Sequence, residues 1–323
     1  MARIVVVGAS QGGVQALHAL VQALPREFTA PLLIVQHIGA SPSMLPSILT
    51  AADARRAAFG KHGEAVCDGR IYVAPPDHHM LLNDGKLELT RGPRENFARP
   101  AVDPLFRTAA HYYGPDAIGI VLSGRLNDGT SGLYEIKRQG GVAIVQTPTE
   151  AEAAGMPQSA LNNVAVDYCL PVTEMPRLLT RLTVEASPQR NTVVRGVPSM
   201  TQEKFSEPSA QTCPECGGAM REESVGNLTR FRCHIGHVMT AEVLASNQLE
   251  KLRSDLSAVL RSLNERVGLC QDIGAKKAAG GESDVAQVWE RAADEAEHRE
   301  KGVSQLVEAG WIHPETEVKK AAE

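Results

Sequence analysis

Short runs of β-branched and aliphatic residues alternate with stretches of helical spacing over residues 1–185 of the chain. Most of these runs are apolar at every position, which is typical of parallel strands buried on both faces of a sheet. The alternation predicts an α/β fold with a doubly wound, mostly parallel sheet. The clearest predicted strands are Ile4 to Val7, Leu32 to Val35, Arg70 to Val73, Ala117 to Leu122 and Val142 to Gln146.

A hairpin signal interrupts this alternation. Asp84-Gly85 separates the apolar segments 80–82 and 87–89, and such a pair between two short strand-like runs favours a tight antiparallel turn. We therefore expect a small antiparallel hairpin beside the main sheet.

The composition changes after residue 185. Ser, Thr, Pro, Gln and Arg dominate residues 186–211 and predict a linker. A cysteine-rich segment, 212–240, follows, and residues 241–323 contain two helical stretches separated by Gly280-Gly281. These two stretches predict a helical hairpin or a coil that could also join copies of the chain into a homo-oligomer. Their apolar stripes comprise Leu249, Leu252, Leu256, Leu260, Leu263, Val267 and Cys270 in the first, and Val285, Val288, Ala292, Ala296, Val303 and Leu306 in the second.

Composition excludes several classes of function. Of 323 residues, 33 are basic, 38 are acidic and 4% are aromatic, so neither the charge nor the stacking groups of a nucleic-acid-binding protein are present. No apolar run approaches the length needed to insert into a bilayer, and the first run is too short for a signal peptide. Because six cysteines in a chain this long form no disulfide framework, a cytoplasmic location is expected.

Three polar residues lie at or just beyond the carboxyl ends of predicted strands. Ser10 is in the glycine-rich turn GASQGG, His37 terminates the second strand, and Asp128 lies in SGRLNDG. Ligand and catalytic sites of open parallel sheets form at this edge. A serine needs a base and an imidazole needs a carboxylate, so the three together predict a catalytic triad. The backbone N–H of Gln11, close to the start of a helix, is a candidate oxyanion donor.

Other interpretations of these residues stay open at this point. A glycine-rich turn after a strand also suits a phosphate or nucleotide cradle, although the GxGxxG spacing is missing here. Separately, His37 could be a structural histidine, and Asp128 an ordinary turn aspartate in Asn-Asp-Gly.

Taken in order, several segments resemble the catalytic domain of CheB, the chemotaxis protein-glutamate methylesterase. They are GASQGG at 8–13, VQHI at 35–38, IYVAPPDHHM at 71–80, RPAVDPLF at 99–106, GIVLSGRLNDGTSG at 119–132 and GMPQSAL at 155–161. The resemblance implies hydrolysis of glutamyl γ-methyl esters on chemoreceptor helices, with glutamine deamidation as a companion activity and no cofactor for catalysis. It places the nucleophile, base and orienting carboxylate on Ser10, His37 and Asp128.

Two departures from the family pattern bear on function. Arg125 and Leu126 follow Gly124 where the family has Gly-Met-Gly, and Gln11 replaces its usual Thr. These changes lie beside the expected oxyanion and substrate pocket. The family's receiver domain has no counterpart before Ser10, so we expect no regulation by aspartyl phosphorylation in cis. A non-catalytic adaptor that only binds receptor helices is the alternative function.

The cysteine-rich segment has the spacing of a metal site. Cys213 and Cys216 form a CxxC turn, Cys233 follows after 16 residues, and His237 lies four residues further on. Thiolate and imidazole ligands in this arrangement suit tetrahedral Zn²⁺. We therefore predict a structural zinc site, with His237 favoured over His234 as the fourth ligand; a site without metal and redox-active thiols are the alternatives.

Overall fold

The computed structural model of the chain describes residues 3–52, 55–184 and 208–312. They divide into two compact units, Met1–Val243 and Leu244–Glu323. The domain limits predicted at residues 185, 211 and 240 stay predictions.

The first unit is built on a seven-stranded parallel sheet with the strand order β3-β4-β2-β1-β7-β8-β9. This sheet confirms the predicted fold class. The two edge strands of this sheet were not predicted, because they are short and only partly buried and so lack the continuous apolar run of the inner strands. The seven strands are β1 Ile4–Ala9, β2 Leu32–Gln36, β3 Ala57–Phe59, β4 Ile71–Val73, β7 Ala117–Val121, β8 Val142–Gln146 and β9 Tyr168–Leu170.

Helices cover both faces of this sheet, as the continuously apolar strands require. In β1, Val5 and Val7 contribute to one core while Ile4 and Val6 contribute to the other. Helices α1 Gly13–Gln22, α2 Leu45–Ala52 and α6 Met175–Val184 pack into the first core. Helices α3 Val102–Tyr113, α4 Thr130–Arg138 and α5 Gly155–Asn163 pack into the second.

Two antiparallel sheets accompany the main one. The predicted hairpin is present as β5 His79–Asn83 and β6 Lys86–Thr90. A four-stranded sheet contains β10 Pro208–Thr212, β11 Ala219–Val225, β12 Leu228–Cys233 and β13 Val238–Thr240. We call residues 208–240 the Cys/His module. Most of the predicted linker lies outside the described residues, and its last part, from Pro208, belongs to β10.

The chain continues into two long helices, α7 Ala241–Ala279 and α8 Ser283–Glu308, with Gly281 at φ +81° between them. The predicted apolar side of α8 is partly wrong: Val285 and Val288 are 41% and 52% exposed. Ala286 and Ala293 are buried instead, whereas Ala296 is buried as predicted, because a helix packs most closely where its side chains are small. Among the described helices, none has both the length and the apolarity to cross a bilayer. A homo-oligomer through these helices stays a prediction.

Candidate active site and metal-binding group

Ser10 lies directly after β1, at the carboxyl edge of the main sheet. The turn that follows reaches a φ of +73° at Gly12 before α1 begins at Gly13. A side chain at position 12 would be strained by this φ and would also collide with Glu152 and Ser123. The glycine-rich turn thus lets the serine follow a buried strand and precede a helix without a longer loop.

His37 lies directly after β2, the neighbouring strand of β1, and its ring bridges the other two predicted residues. Nδ1 is 3.1 Å from Ser10 Oγ, and Nε2 is 2.7 Å from Asp128 Oδ2. An ionised carboxylate can only accept hydrogen bonds, so Nε2 carries the proton of the neutral ring. Nδ1 is then the nitrogen with a free lone pair, facing the serine hydroxyl.

Asp128 lies in the loop between β7 and α4 and is 2% exposed. Besides His37, its carboxylate accepts hydrogen bonds from the Val102 N–H at 2.7 Å, the Gly129 N–H at 3.0 Å and Asn96 Nδ2 at 3.0 Å. Burial acts to raise the pKa of Asp128, but the hydrogen bonds from His37, Val102 and Asn96 outweigh it and hold that pKa below its ordinary value. The carboxylate is therefore ionised at neutral pH.

A second buried carboxyl group lies behind the first. Asn96 Nδ2 also donates to Asp103 Oδ2 at 3.1 Å, and the Gly132 N–H donates to Asp103 Oδ1 at 2.7 Å. Burial, reinforced by the charge of Asp128, raises the pKa of Asp103 to about 7. Neither Asn96 nor Asp103 was predicted as a site residue. Asp103 belongs to a segment that carries the family resemblance, but nothing in its spacing assigned it a role.

Gln11 follows Ser10 in the chain and Arg125 follows Gly124, and both side chains are exposed. Within the described residues, the backbone N–H of neither has a hydrogen-bond partner. Gly124 touches the serine: a Cβ at this position would be 2.9 Å from the Ser10 Cβ and 2.1 Å from Met156 Sδ. The backbone around Arg125 thus approaches Ser10 closely because residue 124 has no side chain.

A cleft of about 340 Å³ opens beside His37. Its walls include Asp77 and Arg99, which form an ion pair of 2.7 Å, and Arg94, whose side chain is 47% exposed. Its lining is completed by Gly39, Ala40, Asn96, Phe97, Ala98 and Pro100. The arrangement can therefore receive a side chain next to the triad.

The part of the chain that contains Ser10, His37 and Asp128 is similar to known proteins. Residues 5–179 match the model of the CheB methylesterase family, described as CheB methylesterase. The chain belongs to the CheB methylesterase family. Ser10, His37 and Asp128, the predicted triad, lie inside the matched range, and the Cys/His module lies outside it.

The names of two similar proteins agree with membership of the CheB methylesterase family. A putative protein-glutamate methylesterase/protein-glutamine glutaminase of Leptospira interrogans is 40% identical over 180 residues, which are 55% of this chain and 93% of that protein. Protein-glutamate methylesterase/protein-glutamine glutaminase 2 of Anaeromyxobacter dehalogenans is 38% identical, and the match covers 56% of this chain but 53% of the relative. This chain therefore matches only about half of that longer CheB methylesterase.

A solved structure supports the same assignment of fold. The crystal structure of the Thermotoga maritima CheB methylesterase catalytic domain aligns with a TM-score of 0.54 and 32% sequence identity. The alignment covers 56% of this chain and 99% of that domain.

Beyond the part shared with the CheB methylesterase family, the four predicted metal ligands come together. One ligand atom from each of Cys213, Cys216, Cys233 and His237 lies within 4.8 Å of all the others. His237 Nδ1 is 3.7 Å from Cys213 Sγ and 3.5 Å from Cys233 Sγ, and the Sγ atoms of Cys216 and Cys233 are 3.6 Å apart. Glu215 lies 3.4 Å from the other ring nitrogen of His237. This group could hold a metal ion.

His78 and His79 could also have been metal ligands, but neither belongs to a group of potential ligands in the part of the chain that the structure describes. His79 is buried, with Nε2 bonded to the Pro93 carbonyl oxygen and Nδ1 accepting the Ala101 N–H. His78 Nδ1 bonds to the Pro76 carbonyl oxygen. Both histidines therefore stabilise the loops around the cleft.

Proposed function

We propose that this chain hydrolyses glutamyl γ-methyl esters on chemoreceptor-like signalling proteins by a serine mechanism, and deamidates glutamine at the same site. One observation carries the proposal: a single imidazole, that of His37, links Ser10 Oγ to the buried Asp128 carboxylate at the carboxyl edge of a parallel sheet. Family membership and the names of the relatives support the same substrate class.

In this mechanism the Ser10 oxygen attacks the ester carbonyl carbon as its proton passes to His37 Nδ1. The imidazolium is stabilised through Nε2–H by Asp128, which stays ionised. When the tetrahedral intermediate collapses, the carbon–methoxy bond breaks, and methanol leaves with the proton from Nδ1. Water then attacks the acyl-enzyme by the same route and releases glutamate and free Ser10. With a glutamine substrate the leaving group is ammonia.

The negative charge of the tetrahedral intermediate needs donors close to Ser10. The Ser10 N–H is bonded to the Ser123 carbonyl oxygen and the Gly124 N–H to that of Ala153, so neither serves. The unpartnered N–H groups of Gln11 and Arg125 take this role, with Gln11 next to the N-terminus of α1.

A nucleotide cradle at the same turn is disfavoured by charge. The helix N-terminus that would receive a phosphate lies beside Glu152, whose Oε2 would be 3.0 Å from a Cβ on Gly12. A carboxylate there repels a phosphate.

The substrate is a receptor helix that presents its methylated glutamate to the cleft beside His37. Such helices carry further carboxylates, and the exposed side chain of Arg94 on the cleft wall suits them. Location in the cytoplasm stays a prediction.

The Cys/His group holds a structural Zn²⁺ in this proposal. Three thiolates and one imidazole form the closed, four-ligand set of structural zinc sites. Glu215, next to the second nitrogen of His237, fixes the ring so that Nδ1 faces the thiolates. The esterase chemistry itself uses no metal.

Ser10→Ala tests the esterase proposal. Methanol release from a methylated chemoreceptor should fall to background, and a fluorophosphonate should label the wild type on Ser10. Ser257→Ala, an exposed serine of α7, is the matched control and should keep wild-type release. Undiminished methanol release by the Ser10→Ala variant would contradict the proposal. Receptor binding without release or labelling in the wild type would favour the adaptor.

A further inference from the structure

The Cys/His module packs directly onto the loop behind the triad. Its edge strand β13 pairs with the segment before α3: the Asn96 N–H donates to the Val238 carbonyl oxygen at 2.8 Å, and the Val238 N–H donates to that of Arg94 at 3.3 Å. The Thr240 N–H also donates to Asn96 Oδ1 at 3.3 Å. Both the backbone and the side-chain oxygen of Asn96 are therefore held by the module.

A second contact reaches the residue that precedes Asp128. Asn127 Nδ2 donates to Thr240 Oγ1 at 2.7 Å, and the Thr240 hydroxyl is 2.9 Å from Asn127 Oδ1. Asn127 and Thr240 are 3% and 1% exposed. Water does not reach these groups, so separating the strand from the loop would leave buried polar atoms without partners.

The metal-ligand turn leads straight into this strand. Cys233 ends β12, and its N–H donates to the His237 carbonyl oxygen at 3.0 Å, while His237 directly precedes β13. An ion bound by Cys233 and His237 would close the turn that sets the register of β13. The three residues of β13 pair with β12 in the antiparallel ladder that starts at this same turn, so a closed turn and the ladder fix the register together.

A single residue, Asn96, connects the module to the triad. Asn96 Nδ2 donates to both Asp128 and Asp103, and Asp128 holds the imidazole of His37. Asn96 is thus a positioning residue whose amide nitrogen orients the carboxylate while its oxygen is held by β13.

We propose that the Cys/His module positions the triad through Asn96, so that the site reaches full turnover only when Cys213, Cys216, Cys233 and His237 hold a metal ion. This inference rests on the proposed esterase function and adds a regulatory role for a segment outside the family match. Loss of the metal by chelation lowers the rate of the chemical step because Asn96 no longer holds the Asp128 carboxylate in place.

The first experiment uses the full chain, purified with Zn²⁺, stripped with a chelator and reloaded with Zn²⁺. Stripping should lower kcat for methyl ester hydrolysis about 10- to 100-fold, the range for a hydrogen bond to a charged group. The second-order rate of Ser10 phosphonylation should fall in parallel, and reloading should restore both values.

Variants then test the path. Asn96→Ala should lower kcat to a similar extent, where kcat is calculated per Ser10 that reacts with the phosphonate. Removing zinc from this variant should have little further effect, because the connection is already cut; a purely structural role predicts additive losses instead. Cys216→Ser should behave like stripped protein, whereas Cys67→Ser, another exposed cysteine outside the module, should behave like the wild type.

Metal-free protein, with its four ligands verified as unoccupied, that keeps wild-type kcat and phosphonylation would overturn the inference. Additive losses from Asn96→Ala and zinc removal would do the same. Failure of the esterase proposal is distinct, since zinc-loaded wild type would then release no methanol at all.

Discussion

Nε2 of His37 lies 2.7 Å from Oδ2 of Asp128, so the nitrogen that faces Ser10 is Nδ1. The carboxylate is fixed by four further donors, which include the backbone of Val102 and Gly129. The Asp128 carboxylate therefore holds the imidazole of His37 in one orientation. The negative charge that supports the proposed base is fixed in place before a substrate binds.

Asp128→Asn should lower kcat for methyl ester hydrolysis by about 10³- to 10⁴-fold, because an amide at this position holds the imidazole in the wrong tautomer. KM should change little, since Asp128 is buried behind the histidine. Steady-state kinetics on methylated receptor measures both constants. Asp68→Asn, at an exposed aspartate, should leave kcat unchanged. A kcat above one tenth of the wild-type value in Asp128→Asn would contradict the assignment.

Asp103 should impose a pH dependence on stability. Its pKa rises from an ordinary 3.8 to about 7 in the fold, so folding takes up a proton between these values. The stabilising contribution is complete below pH 3.8 and is lost as the pH rises through about 7. The free energy of unfolding of the wild type, minus that of Asp103→Asn, should decline over this interval and then level off. Urea unfolding at a series of pH values measures the difference, and a pH-independent difference would refute it.

Leu126→Gly should stabilise the first unit. Leu126 has a φ of +60°, a backbone conformation that costs a side-chain-bearing residue about 1 kcal/mol or more and that glycine adopts freely. The departure from the family's glycine is thus a strained replacement. Leu161→Gly, at a half-buried leucine inside α5, is the matched control and should destabilise by about 1 kcal/mol or more. Loss of stability of equal size in both variants, by urea unfolding, would argue against strain at Leu126.

Gly124→Ala should lower turnover more than stability. The added methyl group would overlap Met156 and press against Ser10, which moves the nucleophile relative to His37. We expect a fall in kcat of about 100-fold, in line with a displacement near 1 Å. Gly92→Ala, where the nearest atom to a new Cβ is 3.6 Å away, should keep wild-type kcat. Equal kcat values for the two variants would show that the approach at Gly124 has no effect on turnover.

Zinc content should follow the four ligands. The purified chain should bind about one Zn²⁺, and Cys233→Ala should lose it because three ligands do not close a tetrahedral structural site. Cys270→Ala removes a thiol of nearly equal burial, 2% against 3% exposed, and should retain the metal. Mass spectrometry for metal content distinguishes the two; retention of zinc by Cys233→Ala would contradict the ligand set.

Much of the site could be predicted because its residues follow strands directly. Ser10 and His37 each directly follow the last residue of a buried strand, and the ends of parallel strands meet at one edge of a sheet. The grouping of the four candidate metal ligands was likewise predicted from spacing alone. They are Cys213, Cys216, Cys233 and His237. The buried side of α8 was less predictable: Ala286 and Ala293 pack inward although Val285 and Val288 are more apolar. Which face of a helix is buried depends on the neighbour that covers it.

The sequence by itself determined the α/β fold class, the edge of the sheet at which the serine and histidine lie, and the grouping of the four candidate metal ligands, since each follows from local periodicity or spacing. Only the tertiary structure decided that Asn96 lies between Asp128 and Thr240. Asn96 and Thr240, which are joined by a hydrogen bond, are 144 residues apart in the chain, and no local pattern encodes a pairing across that distance. It depends on how a short edge strand meets a loop, which is settled by packing.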